Sequence, residues 1–208
     1  MSIRRFRKPA LAPALAIAAL LMVGGTVAAS AQKVTLPPRP AANYAQDRAE
    51  IEELMARYLF AIDYFDWDAY VGTFTEDGEL AFASGKTKGR EAIRTTVAKF
   101  SETIGKHYHT EDGKAAMLRH VILQSSIRVE GDRAWGRSLW LEMANHGPKD
   151  TMKMGTYGIY EDEFRKVNGQ WLIARRNVLN EFIKGRQSGP ANPVGVMDAL
   201  AAASRAGR

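Results

Sequence analysis

Cysteine is absent from all 208 residues. That absence excludes disulfides, thiolate zinc sites, iron–sulfur clusters and a thiol nucleophile together. Histidine is scarce, with four in the chain, and only His107 and His109 lie close together. Their "HYH" spacing would face both rings the same way on a strand, but no acidic partner at a ligand spacing accompanies them, so no metal site is expected. His146, in "ANHGPKD", reads as a turn residue. There is no glycine-rich phosphate loop, no nucleophile elbow and no internal repeat, and nothing calls for a cofactor. A sustained charge of one sign is also missing. The formal net charge is +6, yet Arg4, Arg5, Arg7 and Lys8 sit at one end and Lys184, Arg186, Arg205 and Arg208 at the other. The segment between is close to neutral, which argues against a nucleic-acid-binding domain.

A long apolar run occurs once. "RRFRK" precedes "LAPALAIAALLMVGG", and "ASA" (Ala29 to Ala31) places small residues where a signal peptidase reads them. Residues 1–31 are therefore expected to be a secretory signal peptide cleaved before Gln32, which makes the protein exported, periplasmic or secreted. The alternative is an uncleaved anchor. Pro13, Gly24 and Gly25 weaken a spanning helix, so no stable membrane insertion is expected after cleavage. Arg4-Arg5 leaves a twin-arginine route open. Residues 32–46 read as a Pro-rich linker, 47–183 as one domain, and 184–208 as a flexible tail holding at most a weak helix. With 46% apolar residues, a domain of this size can build its core without disulfides.

Within the domain, Ile51, Leu54, Met55, Tyr58, Leu59 and Ile62 recur at helical spacing and form one apolar stripe. Asp66 can cap a short second helix, "EDGELAFAS" gives a turn and a strand, and "GREAIRTTVAKFSETI" gives a third helix. After the polar segment "KHYHTEDGK" come long strands: "AMLRHVILQSSIRV" and "AWGRSLWLEMA" joined by "EGDR", then "TMKMGTYGIYEDEFRKV" and "QWLIARRNVLNEF" joined by "NG". Helices followed by antiparallel strands predict an α+β fold, a curved antiparallel sheet with helices on its concave face around a cone-shaped pocket.

Asp63 is the residue this pattern explains least. It follows Leu59-Phe60-Ala61-Ile62 at the border of the apolar stripe, where a carboxylate is costly to bury. It is either a solvated helix-end group or part of a cavity wall. His120 shares a strand face with Leu118 and Ile122, as a core histidine or as a site. Tyr58 is likewise a core residue of the stripe or a cavity hydroxyl.

The run "EIEELMARYLFAIDYFDWDAYVGTFTEDGEL", then "RHVILQSSIRVEGDRAWGRSLWLE" and "YGIYEDEFRKVNGQWLIARRNVLNEF", resembles the SnoaL-like branch of the nuclear transport factor 2-like superfamily from Asp47 to Phe182. Among its enzymes, scytalone dehydratase and bacterial bile acid 7α-dehydratase use an aspartate late in the first helix and a histidine on a strand. The resemblance gives these roles to Asp63 and His120, and to Tyr58 that of the tyrosine five residues earlier. It also shows departures. Phe82 stands where those enzymes carry a second tyrosine, and their further polar position falls at Met143 or Ala144, with His146 near. Tyr160 offers a hydroxyl from the next strand.

The resulting expectation is a dehydratase without cofactor, acting on a hydrophobic, polycyclic hydroxylated carbonyl compound. Asp63 would orient His120, whose neutral imidazole would take a proton beside a carbonyl and return it to a departing hydroxyl, while Tyr58 donates to the enolate oxygen. Isomerisation or cyclisation would use the same pair. A binding protein without chemistry would instead depend on Met55, Phe60, Phe82, Trp140, Met152 and Met154. An oligomerisation module is the third reading. A homodimer or homotrimer is expected under each, because one sheet face bearing Trp and Leu would otherwise stay uncovered.

Overall fold

The computed structural model describes residues 43–206. The expected signal peptide and linker residues 32–42 lie outside them. The first helix, α1 (Tyr44–Asp63), begins three residues before the expected domain start. Its first turn is tied to the sheet: the Tyr44 hydroxyl donates to the Ile127 carbonyl at 3.1 Å. Asp47 is buried and accepts from Lys166 Nζ at 2.8 Å and Trp171 Nε1 at 2.9 Å. Ile51, Leu54, Met55, Tyr58 and Leu59 are buried as the stripe predicts. Phe65, in the left-handed region at φ 58°, then turns the chain. Asp66 caps α2 (Trp67–Gly72) by accepting from Ala69 N at 3.0 Å.

There follow β1 (Phe74–Phe82), β2 (Gly85–Lys88), α3 (Arg90–Gly105), β3 (Leu118–Glu130), β4 (Arg133–Asn145), β5 (Met152–Val167), β6 (Gln170–Val178) and α4 (Pro193–Ala206). The six strands form one open curved sheet in the order β2-β1-β6-β5-β4-β3, as the expected α+β class requires. One detail differs. β1 and β6 run parallel, so the sheet is mixed rather than wholly antiparallel. β2, "GKTK", has no apolar alternation to announce it and exists through its pairing with β1. The "NG" turn is as read: Asn168 and Gly169 both take positive φ, 51° and 80°, which matches a tight hairpin to strand twist. Register shifts in β3–β4, β4–β5 and β5–β6 are the local irregularities that bend a sheet.

One apolar core joins α1, α2 and α3 to the inner sheet face, through Ile51, Tyr70, Phe74, Ile93, Ile127 and Ile173 among others. The C-terminal segment corrects the sequence reading. Residues 193–206 are helical, not a flexible tail. Val194, Met197 and Ala201 recur at helical spacing and pack on Trp135, and Arg128 Nε donates to Asp198 at 2.6 Å. Small alanines made this stripe look empty, yet they favour helix and allow close approach. Ala134 belongs to the main core and Trp135 to the α4 contact, so α4 covers the opposite sheet face. The tryptophan on that face, part of the argument for self-association, is thus buried within the chain.

Gly158 holds a tight junction. A Cβ there would lie 2.0 Å from the Leu179 carbonyl oxygen, which also accepts from Trp140 Nε1 at 3.2 Å. Because the obstacle is backbone, Gly158→Ala is expected to destabilise the fold by about 3 kcal/mol, the upper range for overpacking. Urea unfolding measures it. An unchanged midpoint would show that the strand can yield.

Candidate functional site

Between the helices and the inner sheet face lies a cavity of about 260 Å³. Its walls are mainly apolar and include Ile62, Leu80, Phe82, Val97, Phe100 and Trp140. A wider depression of about 830 Å³ between α1, α2 and the β5–β6 turn is more open and lined by Glu50, Glu53 and Arg57 without any histidine. Asp63 and His120 line the smaller one.

Asp63, the last residue of α1, is buried. Its Oδ1 lies 2.7 Å from His120 Nδ1, and its Oδ2 accepts from the His120 backbone N–H at 2.9 Å. This two-point grip fixes both strand and ring, and an ionised Asp63 makes Nδ1 the donor. The other ring nitrogen, Nε2, is 3.6 Å from Glu142 Oε2. Glu142 is the register partner of His120 across β3–β4, its Oε1 makes no hydrogen bond among the described residues, and it lines the cavity. Gly155 leaves room for that oxygen, since a Cβ there would come within 2.5 Å of it.

Burial works against charge on His120, but hydrogen bonds and charge from Asp63 and Glu142 outweigh it and lift its pKa from 6.5 to about 9. The ring is therefore an imidazolium at neutral pH. A ring held in that form can donate a proton toward the cavity, whereas the expectation above used it as a neutral base.

The structure gathers Tyr58, Asp63, Phe82, His120, Trp140 and Tyr160 around this one cavity. Trp140 and Tyr160 stack with ring centroids 5.6 Å apart. Two expected residues are elsewhere. Met55 is buried in the core beneath α1 and lies off the cavity wall. Met143 points to the opposite face, because Trp140, Glu142 and Ala144 alternate inward along β4; the polar position belongs to Glu142. Phe60, Met152 and Met154 are exposed and line no part of the cavity, so only Phe82 and Trp140 remain of the binding-only set.

Tyr70 and Tyr108 were not foreseen. Tyr70 donates to the Tyr58 hydroxyl at 2.9 Å. Tyr108 comes from the polar segment after α3; burial and then Glu142 raise its pKa to about 12. The "HYH" pattern held the signal for Tyr108, an aromatic between polar neighbours. His109 and His146 tie that segment to the β4–β5 turn, with the His109 backbone N–H 3.0 Å from His146 Nδ1.

The sequence profile of the SnoaL-like domain matches residues 43–177. No curated protein matches the chain. Among solved structures, the chain is similar to a Mycobacterium tuberculosis protein of unknown function, at 25% identity and TM-score 0.58 over 79% of this chain and 92% of that one. It is also similar to a Novosphingobium aromaticivorans protein with the provisional name scytalone dehydratase, at 23% identity and TM-score 0.54 over 74% and 96% of the two chains. A third, from Catenulispora acidiphila and solved in complex with S-DNPA, shares 24% identity and a TM-score of 0.55 over 66% and 95%.

Proposed function

The chain belongs to the SnoaL-like domain family, and from that premise we propose that it is an acid–base enzyme, a cofactor-independent dehydratase of small hydroxylated carbonyl compounds. The observation that carries this reading is the seat of His120 between two carboxylates, 2.7 Å from Asp63 and 3.6 Å from Glu142, at an apolar cavity. Glu142 takes the proton from the carbon beside the carbonyl. The electron pair forms the carbon–carbon double bond as the carbon–oxygen bond breaks, and the hydroxyl leaves as water with the proton of His120 Nε2. The proton on Glu142 then passes to Nε2 and restores the resting pair. Asp63 keeps Nδ1 protonated throughout, and Tyr58 donates to the carbonyl oxygen as it gains charge.

The cavity also bears on size. About 260 Å³ lies below the ~300–1,000 Å³ that holds drug-sized ligands, so the substrate has one or two rings. This narrows the polycyclic expectation. The Catenulispora neighbour was solved with a small molecule, in keeping with such a partner. The test is incubation of the protein, and of His120→Ala and Glu142→Gln variants, with one- and two-ring hydroxy-ketones. Mass spectrometry should show a loss of one water with the parent protein and none with either variant. A rearranged product of unchanged mass would assign isomerisation instead. Binding without turnover would leave a carrier.

A further inference from the structure

The cavity has a second polar feature that the acid–base step leaves mostly unused. Tyr58 and Tyr70 both line it, and Tyr70 donates its hydroxyl proton to Tyr58 at 2.9 Å. A hydroxyl carries one proton, so Tyr58 keeps its own for a ligand oxygen. Behind them lies Arg176, wholly buried and absent from the cavity wall. Its Nε and Nη2 each donate to Asp162 at 2.7 Å, while Nη1 makes no hydrogen bond among the described residues. The guanidinium carbon sits 4.0 Å from the centroid of the Tyr58 ring and 4.2 Å from that of Tyr160.

A cation held on the face of a phenol ring lowers the cost of negative charge at its oxygen, and in a buried setting that effect is little screened. Asp162 opposes it, but along the guanidinium edge. Burial raises the pKa of Tyr58, and the pull of Arg176 and then of Tyr70 works against that rise; the push of Asp162 is weaker. Burial raises Tyr70 and Tyr160 too, and for both the charge of Tyr58 ranks ahead of the pull of Arg176, so Tyr58 is the ring on which Arg176 is the leading counterweight to burial. Trp140 comes between this cluster and the acid–base pair in strand order, its ring 6.2 Å from His120 and 5.6 Å from Tyr160.

We propose that Arg176 is a positioning residue which, acting through the ring of Tyr58, makes the Tyr70–Tyr58 pair an oxyanion subsite for a ligand phenol or enolisable ketone. For a ketone the inference rests on the acid–base reading of the cavity. For a phenol it needs no turnover.

The probe is 4-nitrophenol, whose neutral and ionised forms absorb at different wavelengths, titrated with pH when free and when bound to the full chain. The bound phenol should ionise at least one pH unit lower than the free one, about a tenfold preference for the anion. Tyr58→Phe should abolish that shift. So should the double variant Arg176→Met with Asp162→Leu, which removes the buried pair without stranding one charge; circular dichroism checks its fold. Nitrobenzene, lacking the hydroxyl, should bind the double variant as it binds the parent. His120→Gln should retain the shift. Failure of 4-nitrophenol to bind, an unshifted titration, or a shift that survives in the double variant overturns the proposal. So does loss of the shift in His120→Gln alone, which would place the phenol at the imidazolium. A protein that shifts the phenol yet dehydrates no hydroxy-ketone refutes the proposed reaction and leaves the subsite; the reverse result removes the subsite alone.

Discussion

Asp63→Asn is expected to lower turnover of any hydroxy-ketone substrate by ~10²–10⁴-fold, the typical worth of one acid–base group. The neutral amide keeps the size of the carboxylate but not the charge that holds the His120 proton. With a pKa of about 9 in the folded protein against 6.5 ordinarily, His120 is charged across the neutral range, and Asp63 is the larger source of that charge. Under the proposed reaction the parent protein should hold its rate as pH rises toward 9 and lose it above, as the imidazolium gives up its proton. In Asp63→Asn the loss should begin nearer neutrality. Stability follows the same sign. Because the folded pKa is the higher one, the ion pair contributes fully below pH 6.5, and its contribution is gone once pH has passed 9. The difference of pKa amounts to about 3 kcal/mol, and the ring is largely shielded from solvent, with 15% of its side chain exposed. Histidine proton resonances followed by NMR, with urea unfolding at pH 6 and pH 9.5, read both effects. A His120 pKa unchanged in Asp63→Asn would refute the assignment. A rate that climbs through pH 9 would instead restore the neutral imidazole as base.

The physical signals available before the structure explain which parts of it could be read. Apolar periodicity located α1 because the stripe from Ile51 to Ile62 follows from burial on one side alone. The "NG" turn fixed the β5–β6 hairpin through backbone conformations that few other pairs adopt. Asp63 stood out as a carboxylate at the edge of a buried face, and His120 as an imidazole between Leu118 and Ile122; both were visible because they break a pattern. Glu142 was missed for the opposite reason. In "SLWLEMAN" it continues an ordinary alternation, and a one-residue error in register moved the inward position to Met143. Its importance comes from standing opposite His120, which is a property of strand pairing and not of local sequence. Arg176 and Asp162 were hidden similarly. Each sits in a charged run, "ARRN" or "YEDEF", where solvent exposure is the ordinary reading, and only the sheet brings them face to face. For α4 the misleading signal was the reverse: small residues that resemble a linker until they meet Trp135.

The Arg176–Asp162 pair supplies the largest expected effect on stability. Both side chains are fully buried, and their two hydrogen bonds at 2.7 Å give each Asp162 oxygen a donor while Arg176 Nη1 has no hydrogen bond among the described residues. Asp162→Leu alone leaves a cation enclosed between the rings of Tyr58 and Tyr160. The ring faces attract it but accept few of its protons, and its affinity for a proton is too high for it to neutralise. The expected cost is about 3–5 kcal/mol, a large part of the 5–15 kcal/mol typical of a whole domain. Adding Arg176→Met should recover most of that loss, because an apolar pair of similar volume has no charge to desolvate. The comparison of single and double variants by urea unfolding therefore measures the penalty of the stranded charge, not the net worth of the ion pair. Were the single and double variants equally unstable, the pair would matter for its shape and packing. The case for a charge at work behind Tyr58 would then lose its energetic basis. If the double variant matches the parent in stability, the buried pair has no structural necessity. Its place between two cavity tyrosines would then be explained by what it does to their oxygens.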